Sequence, residues 1–536
     1  MRPLKSIRAK FRSRSGKLSL NRPSTRLHRR QASLLMESLE LRTLLSGNVP
    51  VNSPSTSSVA VVTDSSHVYS GHPSTFGAIT AGTSVSNLTS TSQAALAALS
   101  KVLKAQPQYF IMPSTGIGAT QDQGDGPAGG VSPIQLRGAY GDDQVKFGTL
   151  VGDGTGQTIA VIDNGDNPSF LNTSDPNYGT SALAFFDQFF GLPDPPVFQK
   201  YNQVGNPISS GPDNGWGVEI ALDVEYAHAM APGANIVLAE TPVSETEGVT
   251  GLPEMIQSEN FAIDHHLADV ITQSFGATEA TFPNARSILN LRSAYFNALA
   301  HRVTVLASSG DAGPTDFTDN LSDLFPFRVI SWPSGDPLVT SVGGTQLHLD
   351  ANGNRTAPDN VWNDTFDPNV VGDTPSPAAS GGGTSAVFGR PFYQNGVAND
   401  TGRSRGTPDI SMSAAVNGAA ILYLSFPGIP SGFHLVGGTS EASPLFSGVV
   451  AVADQAAHRD LGLLNPTLYG LGDRGPSGID DVVGGNTTVQ FTNTDLFPGT
   501  HTVKGFTADR GYDLGTGLGT ADGQRLVGQL SRGGRF

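Results

Sequence analysis

Gly437-Gly438-Thr439-Ser440-Glu441-Ala442-Ser443-Pro444 sets a serine between a glycine turn and the apolar run Leu445–Ala456. A chain that bends sharply before a helix needs glycine at the bend. The serine hydroxyl then sits at a helix start, where unpaired N–H groups and the positive dipole end can stabilise an oxyanion. A turn followed by an N-cap serine would also fit these letters. Gly383-Thr384-Ser385 is an internal control: the same three letters lead into Ala386-Val387-Phe388, with no small-residue, proline-punctuated helix start. Ser385 reads as structural and Ser440 as the candidate nucleophile.

Gly-Thr-Ser-x-x-x-Pro resembles the nucleophile signature of subtilisin-like peptidases, which implies a partner base. No His-Gly-Thr-His segment is present. In its place stands Gly217-Val218-Glu219-Ile220-Ala221-Leu222-Asp223-Val224-Glu225, within a run from Val218 to Met230 that is helical in pattern and stopped by Pro232-Gly233. Glu219 and Asp223 are four residues apart, so their carboxyls stack on one helix face. Sharing a partly buried site would raise one pKa and prepare a carboxylate base for work in acid. A solvated acidic face, decorated also by Glu225, fits the spacing equally well.

Val303-Thr304-Val305-Leu306-Ala307-Ser308-Ser309-Gly310-Asp311 reads as a buried parallel strand whose carboxyl end delivers Asp311. Open α/β sheets bind ligands at such ends. Subtilisins carry an asparagine at the matching place as an oxyanion donor, and an aspartate can donate there only when protonated. A loop-capping aspartate is the ordinary alternative.

Glu-x-x-x-Asp, Ser-Gly-Asp and Gly-Thr-Ser-x-x-x-Pro, in that order, resemble the sedolisin family of serine-carboxyl peptidases, especially its kumamolisin-like members. The likeness covers roughly residues 132–530 and includes Ser132-Pro133-Ile134-Gln135-Leu136-Arg137, Ser380-Gly381-Gly382-Gly383 and Gly406-Thr407-Pro408-Asp409. The resemblance implies a subtilisin-like fold, with Ser440 as nucleophile and Glu219 as general base. Asp223 would orient Glu219, and Asp311 would be the oxyanion donor. Thr158-Ile159-Ala160-Val161-Ile162-Asp163 resembles the strand bearing the subtilisin aspartate, but Asp163 lacks a histidine partner and stays outside the catalytic set.

Near the C-terminus, Asp480-Asp481-Val482-Val483-Gly484-Gly485 and Ala508-Asp509-Arg510-Gly511-Tyr512-Asp513 offer hard oxygen ligands in glycine-rich turns, which suit calcium. They read equally as two Asp/Gly turns. The resemblance implies a calcium site using the side chains of Asp481 and Asp513 and the carbonyls of Val482, Asp509 and Gly511. The family usually has glycine where Asp509 stands.

The 536 residues allow one large domain plus extensions, and the net charge of −15 is split along the chain. Residues 1–42 hold twelve Lys/Arg against Glu37 and Glu40, so the remainder is strongly acidic. The basic part lacks interleaved aromatics, which argues against nucleic-acid binding. Gln31–Gly47 resembles the Leu-Glu-Pro-Arg-x-Leu-Leu segment near the N-terminus of many large secreted bacterial proteins, so residues 1–46 are expected to be an export leader. Residues 47–131 are rich in Ser, Thr, Gly and Pro and read as a linker, apart from a short Ala/Leu helix at 93–105. They are too few and too polar for the long folded prodomain that the resemblance implies. No run approaches a membrane span. With no cysteine, calcium and a large core are the available stabilisers outside the cell.

From Gln157 onward the pattern predicts strands at Thr158–Ile162, Asn235–Ala239, Val270–Ser274 and Val303–Ala307. It predicts helices at Val218–Met230, Pro253–His266 and Ala285–His301. This alternation is an α/β architecture, a mostly parallel sheet flanked by helices on both faces. Residues 132–530 are thus expected to form a secreted or cell-surface, monomeric endopeptidase acting on protein or peptide in acid. A neutral subtilisin-like peptidase and an inactive binding protein on the same scaffold are the alternatives.

Overall fold

The computed structural model describes residues 110–112, 130–206, 214–472 and 477–533. The expected leader and the helix at 93–105 lie outside them.

The central sheet is built from β1 (Thr158–Asn164), β2 (Phe198–Asn202), β3 (Asn235–Thr241), β4 (Val270–Gln273), β5 (Thr304–Ser308), β6 (Thr340–Gln346), β7 (Ile410–Ser413), β8 (Ile479–Asp480) and β9 (Thr520–Ala521). Their spatial order is β2-β3-β1-β4-β5-β6-β7-β9-β8. These neighbours are parallel except the last pair, where β8 runs antiparallel to β9; a tenth short strand, Asn360–Val361, also pairs antiparallel with β6. The order reverses around β1, which places a crevice at the carboxyl ends of β1 and β4.

Both sheet faces are covered, which is why the strands read as unbroken apolar runs rather than alternating ones. Ile159 and Val161 of β1 face one core, with Ile236, Leu238, Val270, Leu306 and Ile410. Ala160 and Ile162 face the other, against helices Leu252–Asp264 and Ser293–His301.

The first core holds two long buried helices, Asn214–Met230 and Thr439–Ala457. They approach closely at Gly448, where an added Cβ would lie 2.3 Å from the Met230 Cβ. That contact fixes the distance between the acid-bearing helix and the serine-bearing one.

Three element boundaries differ from expectation. Helix Asn214–Met230 starts four residues early, taking in Gly215 and Gly217; a Cβ on Gly217 would meet the Phe426 ring at 2.8 Å, so close packing demands glycine there. The stretch 285–301 is two helices, Ala285–Leu289 and Ser293–His301. The first is capped by the Asn284 side chain, and Arg292 is drawn out by a buried bidentate pair with Asp336. The serine helix begins at Thr439 rather than Leu445 and contains Pro444. In addition, Phe110–Met112 forms a strand antiparallel to Gly432–Gly437, inside the segment expected to be linker.

Candidate active site

Strand Gly432–Gly437 runs into Gly438, whose φ of 145° lies in the region that favours glycine, and the helix starts at the next residue. Ser440 therefore occupies the first helical turn, between the Thr439 N–H, which donates to Asp311, and the Glu441 N–H, which donates to the Gly438 carbonyl at 2.9 Å. Pro444 cannot donate to the Ser440 carbonyl. The Ser274 hydroxyl lies 3.5 Å from that carbonyl.

Glu219 and Asp223 project from the facing helix, and both are fully buried. The Ser440 hydroxyl is near enough to act on the Glu219 carboxyl, although neither Glu219 oxygen closes a hydrogen bond. Burial pushes Glu219 well above the usual carboxylate range, and the Asp223 and Asp163 carboxyls push the same way, while the Ser440 hydroxyl pulls back. Asp223 is raised by burial and opposed by the Ser274 hydroxyl, which donates to its Oδ1 at 2.9 Å. Glu219 and Asp223 thus form a buried pair rather than a solvated acidic face.

Asp163, at the carboxyl end of β1, completes the group. It is fully buried, and neither carboxyl oxygen has a hydrogen-bond partner. Burial raises its pKa, and the charges of Asp223, Glu240 and Glu245 add to the effect. No ion pair among the described residues reaches Glu219, Asp223 or Asp163. The three carboxyls must therefore share protons.

Asp311 lies three residues past β5. The Thr439 N–H and hydroxyl both donate to its Oδ1 at 2.7 Å, and the Thr439 hydroxyl accepts the Gly310 N–H at 3.1 Å. Burial outweighs these bonds and pushes the Asp311 carboxyl up to about 8, so it keeps its proton in acid and at neutrality. A protonated carboxyl beside Ser440 can donate to an oxyanion.

The structure thus brings together all four predicted catalytic residues. Sequence reading missed Ser274 as the partner of Asp223 and Thr439 as the partner of Asp311. The signal for Thr439 was its place beside Ser440; Ser274 was expected only as the end of the strand Val270–Ser274 beside the cleft, with nothing to name Asp223 as its partner. Ser385 sits apart in strand Gly383–Gly389, donating to Glu279 at 2.6 Å and accepting from the Val387 and Phe388 N–H groups. Two candidate histidines are engaged elsewhere: His228 by Asp187 and the Pro193 carbonyl, and His434 by the Pro430 carbonyl.

Of the expected metal residues, Asp481 meets Gly511 and lies near Asp513. The Gly511 N–H donates to both Asp481 oxygens at 3.1 Å, and Gly484 and Ala508 are paired across the same two segments. Asp513 accepts from the Gly515 and Thr516 N–H groups and the Thr516 hydroxyl. Its carboxyl is pushed up to about 7, chiefly by burial and also by Asp481, which shows that the two carboxyls share a field. Among the described residues no three His, Cys, Asp or Glu side chains converge as a metal site. A cation here would rest on two carboxylates and on backbone carbonyls of Val482, Asp509 and Gly511, a donor set that fits a hard ion.

Comparison with known proteins agrees with this geometry. The pattern of the subtilase family matches residues 154–467. Kumamolisin of Bacillus sp. (strain MN-32) is 30% identical over 70% of this chain, and sedolisin of Pseudomonas sp. (strain 101) is 31% identical over 54%. The chain spans 60% of the length of the first and 45% of the second. Human tripeptidyl-peptidase 1 is 28% identical over 59% of the chain. A solved structure of Pseudomonas sedolisin, described as a serine-carboxyl proteinase, superposes with a TM-score of 0.60 at 26% identity. It covers 76% of this chain and all of that one. With its family pattern over more than half its length and its parallel sheet, the chain belongs to the subtilase family, in the sedolisin- and kumamolisin-like branch.

Proposed function

We propose that the protein is a serine-carboxyl endopeptidase that cleaves unfolded or loosely folded protein in acid, outside the cell. The observation that carries this reading is the meeting of Ser440, at a helix start, with the buried carboxyls of Glu219 and Asp223 on the facing helix and with Asp311, which Thr439 grips. Ser440 Oγ attacks the scissile carbonyl carbon as its proton passes to Glu219. Asp311 and the Ser440 N–H stabilise the oxyanion. Glu219 then gives the proton to the departing amine, and water hydrolyses the acyl-enzyme by the same steps. Asp223, held by Ser274, fixes Glu219 and takes up the charge change.

Calcium, held by Asp481, Asp513 and the neighbouring carbonyls, would stabilise the C-terminal turns without entering the chemistry. Export is supported by the resemblance of residues 31–47 to a secretion segment. The test is a peptide aldehyde directed at serine peptidases, applied at pH 4 and followed by cleavage of a denatured protein. Blocked cleavage, with S440A alone failing to bind the aldehyde, is expected; equal binding by S440A would reject the reading.

A further inference from the structure

Two hydroxyls at β4 reach the two helices that carry the reactive groups. Val270 of β4 faces the first core, so the two-residue period of a strand turns Thr272 and Ser274 the same way. Both are buried. Ser274 donates to Asp223 Oδ1 at 2.9 Å, on the acid-bearing helix. The Thr272 hydroxyl shares a hydrogen bond of 2.8 Å with the hydroxyl of Ser443, on the serine helix, and Ser443 is fully buried as well.

Packing alone would not select a threonine facing a serine at this depth. Valine has nearly the shape of threonine, and a buried hydroxyl costs free energy unless it is bonded. The bond itself returns little net stability, because both hydroxyls bond to water in the unfolded chain. What it supplies is a fixed point. Ser443 stands three residues after Ser440 on the same helix, close enough to share a face with it. The turn between them lacks a ladder bond, because Pro444 has no N–H to offer the Ser440 carbonyl. The sheet holds this turn from outside instead: Thr272 meets Ser443, and the Ser274 hydroxyl lies 3.5 Å from the Ser440 carbonyl.

We propose that Thr272 and Ser443 are positioning residues for the nucleophile. Their hydrogen bond fixes the first turns of the serine helix on β4, the strand that also leads to the Ser274–Asp223 bond, so that one strand sets Ser440 against Glu219. Neither residue touches the reacting atoms; both act through the placement of Ser440.

Because this role presupposes Ser440 as the nucleophile, S440A is assayed beside T272V, S443A, T272V/S443A and T272S, by peptide cleavage at pH 4 and by urea unfolding. T272V and S443A should each lower kcat roughly tenfold with KM nearly unchanged, less than the roughly 10²-fold that a misplacement of about 1 Å can cost. T272S keeps the hydroxyl and should rescue most of the loss. Each single variant leaves one buried hydroxyl unpaired and should unfold at lower urea. The double variant leaves none, so its unfolding midpoint should return towards the parent's. Its kcat should stay as low as in the single variants, because the tie is still missing. Full kcat in both single variants would overturn the proposal. Recovery of kcat together with the midpoint in the double variant would reduce the pair to packing. A loss in T272S as deep as in T272V would show that shape, not the hydroxyl, matters. If S443A does not fold, T272V against T272S decides alone. Cleavage surviving in S440A would reject the nucleophile assignment instead.

Discussion

Thr439 grips Asp311 twice at one oxygen, its N–H and its hydroxyl both reaching Oδ1 at 2.7 Å. An oxygen that already accepts two hydrogen bonds is the poorer seat for a proton, so the acid proton belongs on Oδ2. The nucleophile's own neighbour thus sets both the tautomer and the strength of the oxyanion donor.

That grip has a sign. The Thr439 bonds lower the Asp311 pKa against burial, so T439V should raise it. One lost hydrogen bond of about 1 kcal/mol corresponds to roughly 0.7 of a pH unit. The falling limb of the rate profile, where Asp311 loses its proton, should move to higher pH by that amount. D311N should remove the limb, because an amide donates at every pH. Rate profiles of parent, T439V and D311N check this. A T439V limb shifted to lower pH would contradict the assignment of Asp311.

The two Gly-Thr-Ser sequences make a paired test. S440A should abolish cleavage with the fold intact. S385A removes a bond to Glu279 and the acceptor for two N–H groups, so it should lower stability by about 1–3 kcal/mol while cleavage survives. Activity and urea unfolding of both variants decide the matter. Loss of cleavage in S385A with retention in S440A would exchange their roles.

The sheet and the serine were legible because they depend on local pattern. Apolar β-formers ending in Asp163 and Asp311, and glycines ahead of Ser440, carry their meaning within ten residues. The acid pair was only half legible, since i and i+4 spacing puts Glu219 and Asp223 on one face without saying what that face meets. Packing answered it through Gly448 against Met230 and Ser274 against Asp223, contacts between residues far apart in the chain. The helix starts at Asn214 and Thr439 were misread because Gly217 and Pro444 look like breakers. One is required by the Phe426 ring; the other lies near the helix start, where the helical bond missing at the Ser440 carbonyl is made up by the Ser274 hydroxyl at 3.5 Å.

The C-terminal turns supply a test by chelation. If a cation joins Asp481 and Asp513, its removal should lower the melting temperature, since the unfolded chain offers no formed site. D513N should lower it too and make it insensitive to chelator. Its loss also touches the bonds from Gly515 and Thr516, so only the vanished chelator response is diagnostic. Identical melting of the parent with and without chelator would remove the cation.

The buried acids also fix how stability depends on pH. Asp311 and Glu441 are raised to about 8, and Asp142 and Glu279 to about 7, each chiefly by burial. Glu219, Asp223 and Asp163 are raised as well. A group whose folded pKa lies above its unfolded value binds more protons when folded, so stability falls as pH rises between the two values. The stabilisation is complete below about pH 4, the unfolded carboxylate range, and is lost on the way through pH 7 to 8. Asp323, held by the N–H groups of Thr494, Asp495 and Leu496, and the surface Asp350, held by Asn354, run the other way but are outnumbered. Melting temperature should therefore drop by several degrees, on the order of the 2–4 °C per kcal/mol typical of a domain this large, between pH 5 and pH 8.5. D311N should flatten part of that drop, because its amide forms no buried charge. Calorimetry across the range, with calcium held constant, measures it. A melting temperature that rises towards pH 8.5 would mean that these carboxyls are charged in the folded protein, and the proton-sharing site would have to be abandoned.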